Sequence, residues 1–83
     1  MPKIIIYSKE VCPYCVRAKA LLQKKGAAFE EIKITDDKTK QEMIEKSGGR
    51  MSVPQIFINE KHIGGCDDLY ALDKSGELDE ILK

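Results

Sequence analysis

Apolar positions first gather in Ile4-Ile5-Ile6-Tyr7, a β-branched run without polar alternation that predicts a strand covered on both faces. After Ser8-Lys9-Glu10-Val11-Cys12 the period changes. Cys15, Ala18, Leu21 and Leu22 recur at helical spacing behind Pro13, whose missing N–H suits the first helical position. Lys24 and Lys25 fit the negative end of that helix and Gly26 is a natural stop, so a helix over 13–25 is predicted. Phe29 to Ile34 reads as a second strand, interrupted by Glu30-Glu31. Thr35-Asp36-Asp37 offers N-cap chemistry for a short helix that ends at Ser47, with Met43 and Ile44 inward and Gly48-Gly49 behind it. Gln55–Ile58 and Lys61–Gly64 are short strands joined by a tight turn at Asn59-Glu60. Asp67-Asp68 opens a helix that carries Leu69, Ala71 and Leu72. Ser75-Gly76 interrupts it, and Leu78, Ile81 and Leu82 mark a last helical stripe.

The order β-α-β-α-β-β-α with a helical tail predicts an α/β domain. A right-handed parallel crossover followed by a hairpin gives one mixed four-stranded sheet flanked by helices. At 83 residues the chain reads as a single domain, 1–83, without repeats, low-complexity tracts or linkers. A hydrophobic share of 42% against 34% charged is that of a folded soluble chain. Fourteen basic and fourteen acidic residues leave zero formal net charge, and Trp is absent. A general nucleic-acid or membrane-surface binder needs a basic field, so neither partner is expected. The N-terminal apolar run is too short for a signal-peptide core or a membrane span, and a cytoplasmic location is expected. A monomer is expected as well.

Three cysteines, Cys12, Cys15 and Cys66, do not suit a disulfide-stapled secreted domain, which makes chemistry the better reason for them. Cys12-Pro13-Tyr14-Cys15 sits at a strand-to-helix junction. Unpaired N–H groups and the positive dipole end there favour a thiolate at Cys12, with Lys9 and Arg17 adding to the field. Cys15, one turn further in, should be buried and stay a thiol, so the pair can alternate between dithiol and disulfide. A bridge this short is a weak staple. A zinc site of Cys12, Cys15, His62 and Cys66 is arithmetically available, but the helix start between the first two cysteines and the wide gap to His62 fit it poorly.

Two further motifs carry both a functional and a plain structural reading. Ser52-Val53-Pro54 precedes a strand. A cis Val53–Pro54 bond would turn the Val53 backbone toward a ligand, yet only about 5–6% of X–Pro bonds in folded proteins are cis, so the residues alone favour trans. Gly64-Gly65-Cys66-Asp67-Asp68 permits close backbone approach at a helix start that can hold a carboxylate, with an acid beside it for an ammonium. Asp in a first turn and paired Gly in a turn are also ordinary capping chemistry, and that reading is favoured for the motif in isolation.

In this order the motifs resemble those of glutaredoxins, over essentially the whole chain. Lys9, Cys12-Pro13-Tyr14-Cys15, Val53-Pro54 and Gly64-Gly65-Cys66-Asp67-Asp68 stand where a small bacterial-type dithiol glutaredoxin has them. Ser52 departs from the usual threonine, and Gly48-Gly49 precedes Arg50. The resemblance implies a thioredoxin fold with Pro54 cis and facing the cysteines, Cys12 as attacking thiolate and Cys15 as resolving thiol. It also implies glutathione as reductant, with no metal. Lys9, Tyr14 and Arg50 would lie near its glycyl end and Val53 would pair with its cysteinyl part. Gly65, Cys66, Asp67 and Asp68 would take the γ-glutamyl zwitterion. The implied partners are glutathione and glutathionylated or disulfide-bonded proteins. The rivals are a glutaredoxin-like thioredoxin served by a flavoenzyme, and an iron–sulfur carrier. The Cys66 sulfur is expected to be inert.

Overall fold

Ile4, Ile6, Tyr7 and Ser8 are all buried, as expected of a strand with neighbours on both edges and layers on both faces. The computed structural model describes residues 2–82. In chain order its elements are β1 (Ile4–Ser8), α1 (Pro13–Lys24), β2 (Glu30–Lys33), α2 (Asp37–Lys46), β3 (Gln55–Ile58), β4 (Lys61–Gly64), α3 (Cys66–Ser75) and α4 (Glu77–Leu82). The strands form one sheet in the order β2-β1-β3-β4. β1 pairs parallel with β2, Ile5 opposite Glu30, and antiparallel with β3, Ile4 opposite Ile58. β3 and β4 are antiparallel, and a register irregularity falls between Ile56 and Phe57.

The pleat sends alternate side chains to opposite faces and so divides the core. Ile4, Ile6, Ile56 and Ile58 pack with Ala18, Leu21 and Leu22 of α1, Leu69 of α3 and Leu78 of α4. Tyr7 and Phe57, from the other face, meet Met43 of α2, with Ile5, Ile32 and Ile44 at the margin. The Tyr7 and Phe57 rings are edge-to-face, 5.8 Å between centroids. Two polar ties brace the first crossover. Ser8 Oγ donates to Glu31 Oε2 at 2.6 Å, and Lys19 Nζ pairs with the same oxygen at 2.8 Å.

Element ends follow local chemistry. Asp36 caps α2, its carboxylate accepting the Thr39 N–H at 2.8 Å. Asn59 and Glu60 both adopt positive φ, 52° and 69°, the geometry of a two-residue hairpin turn. Lys25 is the C-cap of α1 rather than its last residue, and Ser47 is the C-cap of α2. β2 is shorter than the expected 29–34: Phe29 and Ile34 flank it and pack into the two core clusters from either end, Ile34 still donating its N–H to the Ser8 carbonyl at 2.8 Å. α3 starts at Cys66, one residue before the expected Asp67, with Gly65 as N-cap.

Candidate active site

Cys12 is the N-cap of α1, with extended φ/ψ of −150° and 100°, and Pro13 follows in the first helical position. Its sulfur does what an N-cap side chain does: Cys12 Sγ accepts the backbone N–H of Cys15 at 3.2 Å. The sulfur is half-buried and faces the Val53 carbonyl oxygen at 4.0 Å. Cys15, one turn on, is 1% exposed. Burial, and then contact with the Cys12 sulfur, push its thiol up to about 11 from an ordinary 9.0. A half-exposed sulfur thus stands in front of a buried, protonated one.

The Val53–Pro54 peptide is cis, where the residues taken alone favoured trans and the glutaredoxin resemblance implied cis. Val53 and Pro54 form one wall of an open cavity of about 370 Å³, with Ser52 beside them. Gly65, Cys66, Asp67 and Asp68 supply the facing wall, and Tyr14 and Arg50 complete the lining. The wall at α3 is fixed by backbone geometry. Asp68 Oδ2 accepts the Gly65 N–H at 2.9 Å and closes the first turn of α3 from within. Gly64 has φ +122°, and a Cβ there would run into the Asp68 carboxylate, so this position needs a residue without a side chain. Arg50 Nη2 reaches Asp68 Oδ2 at 3.5 Å and spans the cavity from the loop before β3. Asp67 is exposed.

Most of the residues singled out in the sequence converge here. Cys12, Cys15, Tyr14, Arg50, Val53, Pro54, Gly65, Cys66, Asp67 and Asp68 all lie in or beside this cavity. Lys9 is exposed and is not among the lining residues; its backbone partly offsets the upward push on the Cys15 thiol. The Cys66 side chain is 5% exposed, and burial pushes its thiol upward. The zinc alternative does not assemble: among the described residues no group of three or more His, Cys, Asp or Glu side chains converges. His62 instead bonds Gln55, Nε2 to Oε1 at 2.7 Å. Gln55, buried and missed in the sequence, has one visible signal, a lone amide heading an otherwise apolar strand.

A cysteine pair at the start of the helix that follows the first strand, facing a Val-Pro loop across the sheet end, defines a thiol–disulfide oxidoreductase of the thioredoxin fold. Comparison with known proteins narrows the class. The glutaredoxin family model matches residues 4–63. The chain is 58% identical to Glutaredoxin 3 of Escherichia coli (strain K12) over 83 residues, all of both chains. It superposes on the solution structure of glutaredoxin from Brucella melitensis with a TM-score of 0.85 at 55% identity, covering 98% of this chain and 88% of that one. A buckwheat glutaredoxin–glutathione complex matches with a TM-score of 0.88 at 32% identity, over 95% and 74% of the two chains. The chain belongs to the glutaredoxin family.

Proposed function

We propose that the protein is a glutathione-dependent reductant of glutathione mixed disulfides and protein disulfides. The observation that carries this reading is the cavity beside Cys12: a backbone edge at Val53, a helix start with two carboxylates at Asp67 and Asp68, and cationic Arg50. Those groups complement a peptide that carries an α-amino-acid zwitterion at one end and a carboxylate at the other. The glutathione complex of the buckwheat relative supports it. Tyr14 and Arg50, with Lys9 nearby, would serve the glycyl carboxylate. Val53 would pair with the cysteinyl segment, and the Gly65–Asp68 wall would hold the γ-glutamyl group.

Cys12, as thiolate, attacks the glutathione sulfur of a mixed disulfide. The new bond is Cys12–S–S–glutathione, and the substrate leaves as a thiolate that takes up a proton. A second glutathione attacks the adduct at its glutathione sulfur, releasing glutathione disulfide and restoring Cys12. With a protein disulfide, Cys15 loses its proton and attacks Cys12 of the mixed disulfide. The reduced substrate leaves, and the Cys12–Cys15 bridge is then reopened by two glutathiones. Thiolate fraction, leaving-group basicity and access set each rate. In this reading the enzyme works as a monomer in the cytoplasm on glutathionylated or disulfide-bonded proteins, and the chemistry calls for no metal.

Glutathione-coupled reduction of a small glutathione mixed disulfide tests it. Cys12→Ser should abolish turnover and Cys15→Ser should retain it, whereas reduction of a protein disulfide should need both sulfurs. Asp67→Ala should raise KM for the mixed disulfide. Equal loss in the two Ser variants on the mixed disulfide would overturn the division of labour. Turnover that depends on a flavoenzyme and ignores glutathione would overturn the reading itself.

A further inference from the structure

His62 and Gln55 lie outside the cavity lining, yet they form a continuous polar chain into it. Gln55 is completely buried at the head of β3, directly after Pro54. Its Nε2 donates to the Ser52 carbonyl at 2.9 Å and approaches Ser52 Oγ at 3.4 Å. With the amide nitrogen committed to Ser52, Oε1 is the end that faces His62 Nε2 at 2.7 Å. An amide oxygen only accepts, so His62 must donate, and its Nε2 carries a proton. The ring is held in turn against Phe57, 5.1 Å between centroids. The Arg50 guanidinium and the Asp68 carboxylate are the charged groups acting on the imidazole. Because Nε2–H is present in both the neutral tautomer used here and the imidazolium, the chain survives a change in ring charge.

The far end of the chain is Ser52, the residue before Val53. Val53 supplies both the carbonyl 4.0 Å from Cys12 Sγ and a wall of the cavity. Resting on the glutathione reading, we propose that His62 is a positioning residue that acts through Gln55 to hold the Ser52–Val53 backbone in the register that binds the disulfide substrate. A buried acceptor stripped of its donor seeks another partner, and the partners available to the Gln55 amide lie along the Ser52 loop.

The test is a double-mutant cycle on the full chain, with steady-state reduction of a small glutathione mixed disulfide as readout. His62→Phe keeps an aromatic ring against Phe57 and deletes the donor. Loss of one buried hydrogen bond from the substrate-binding backbone should raise KM about five- to tenfold with kcat within about twofold. Gln55→Leu should do the same. The double variant should be no worse than either single one, because both act through one chain. His62→Gln, which restores an N–H at the same reach, should recover most of the loss.

An unchanged KM in His62→Phe overturns the proposal, as does an additive double variant, which would place His62 on the substrate. A mere loss of folding would lower active concentration and kcat and leave KM alone, which also counts against it. If wild type does not turn over the mixed disulfide, the glutathione reading fails. The chain itself is then judged by NMR: the Ser52 and Val53 amide resonances should move in His62→Phe, and unmoved resonances overturn it.

Discussion

Cys12 and Cys15 are three residues apart and differ in what surrounds each sulfur. The first caps a helix beside the cavity, against the Val53 carbonyl; the second is packed behind it at 1% exposure. Because the folded chain pushes the Cys15 thiol up to about 11 from 9.0, the native state holds that proton more tightly than the unfolded chain does. The resulting stability is fully present below pH 9 and is lost as pH rises toward 11, by roughly 2–3 kcal/mol for a two-unit difference. Urea denaturation of the reduced protein at pH 8 and pH 11 should show that loss, and Cys15→Ala should remove most of it. Alkylation followed by mass spectrometry should label Cys12 first. Cys66, also buried and also shifted upward, should resist together with Cys15.

At the scale of elements, Glu31 is the tie between three of them. Its carboxylate takes a proton donor from buried Ser8 of β1 and an ammonium from Lys19 of α1. Those hydrogen bonds hold the carboxyl below its ordinary 4.5. A depressed carboxylate stabilises the fold above the ordinary value, and the contribution is lost as pH falls through the folded one. Glu31→Gln should therefore cost about 1 kcal/mol at pH 7 in urea melts, and the gap to wild type should narrow as pH falls below the ordinary 4.5.

The ends of β3 and β4 were legible to the residue because Pro54, the Asn59-Glu60 turn and Gly64-Gly65 bracket short runs of β-formers. β2 is shorter than its apolar flanks suggest because an edge strand with one ladder tells little from its flanks, and Phe29 and Ile34 are apolar for reasons of core packing. α3 starts one residue before Asp67 because its first turn is closed by Asp68 from inside the helix, whereas the sequence rule looks for a side chain in front of it. Cys12, Cys15 and the α3 wall were visible as local motifs. The Arg50–Asp68 pair and the His62–Gln55–Ser52 chain join residues from different segments, which no spacing rule connects.

For the whole molecule, the sheet separates a large core from a small one, and the two walls of the cavity rest on different sides: α3 on the large core, Val53 against the Tyr7, Met43 and Phe57 cluster. Leu69, fully buried on α3, directly follows Asp67-Asp68, so its packing against Leu22, Ile56 and their neighbours sets where that wall stands. Met43, equally buried, fills the other core from α2, which supplies no lining residue but whose cluster Val53 packs against. Truncating either to alanine should cost about 2–5 kcal/mol, a large part of the roughly 4–12 kcal/mol available to a chain of this length. The two losses should read differently in the enzyme. Measured well below the melting temperature of both variants, Leu69→Ala should raise KM for a glutathione mixed disulfide severalfold as the α3 wall loosens. Met43→Ala, matched in lost stability, should raise KM less, because its core meets the cavity through the Val53 side chain and not through the α3 wall. If both raise KM alike, the site senses global stability and the sheet does not insulate it from the α2 side. If neither does, α3 is held by its backbone cap and the Arg50 pair, independently of the core beneath it.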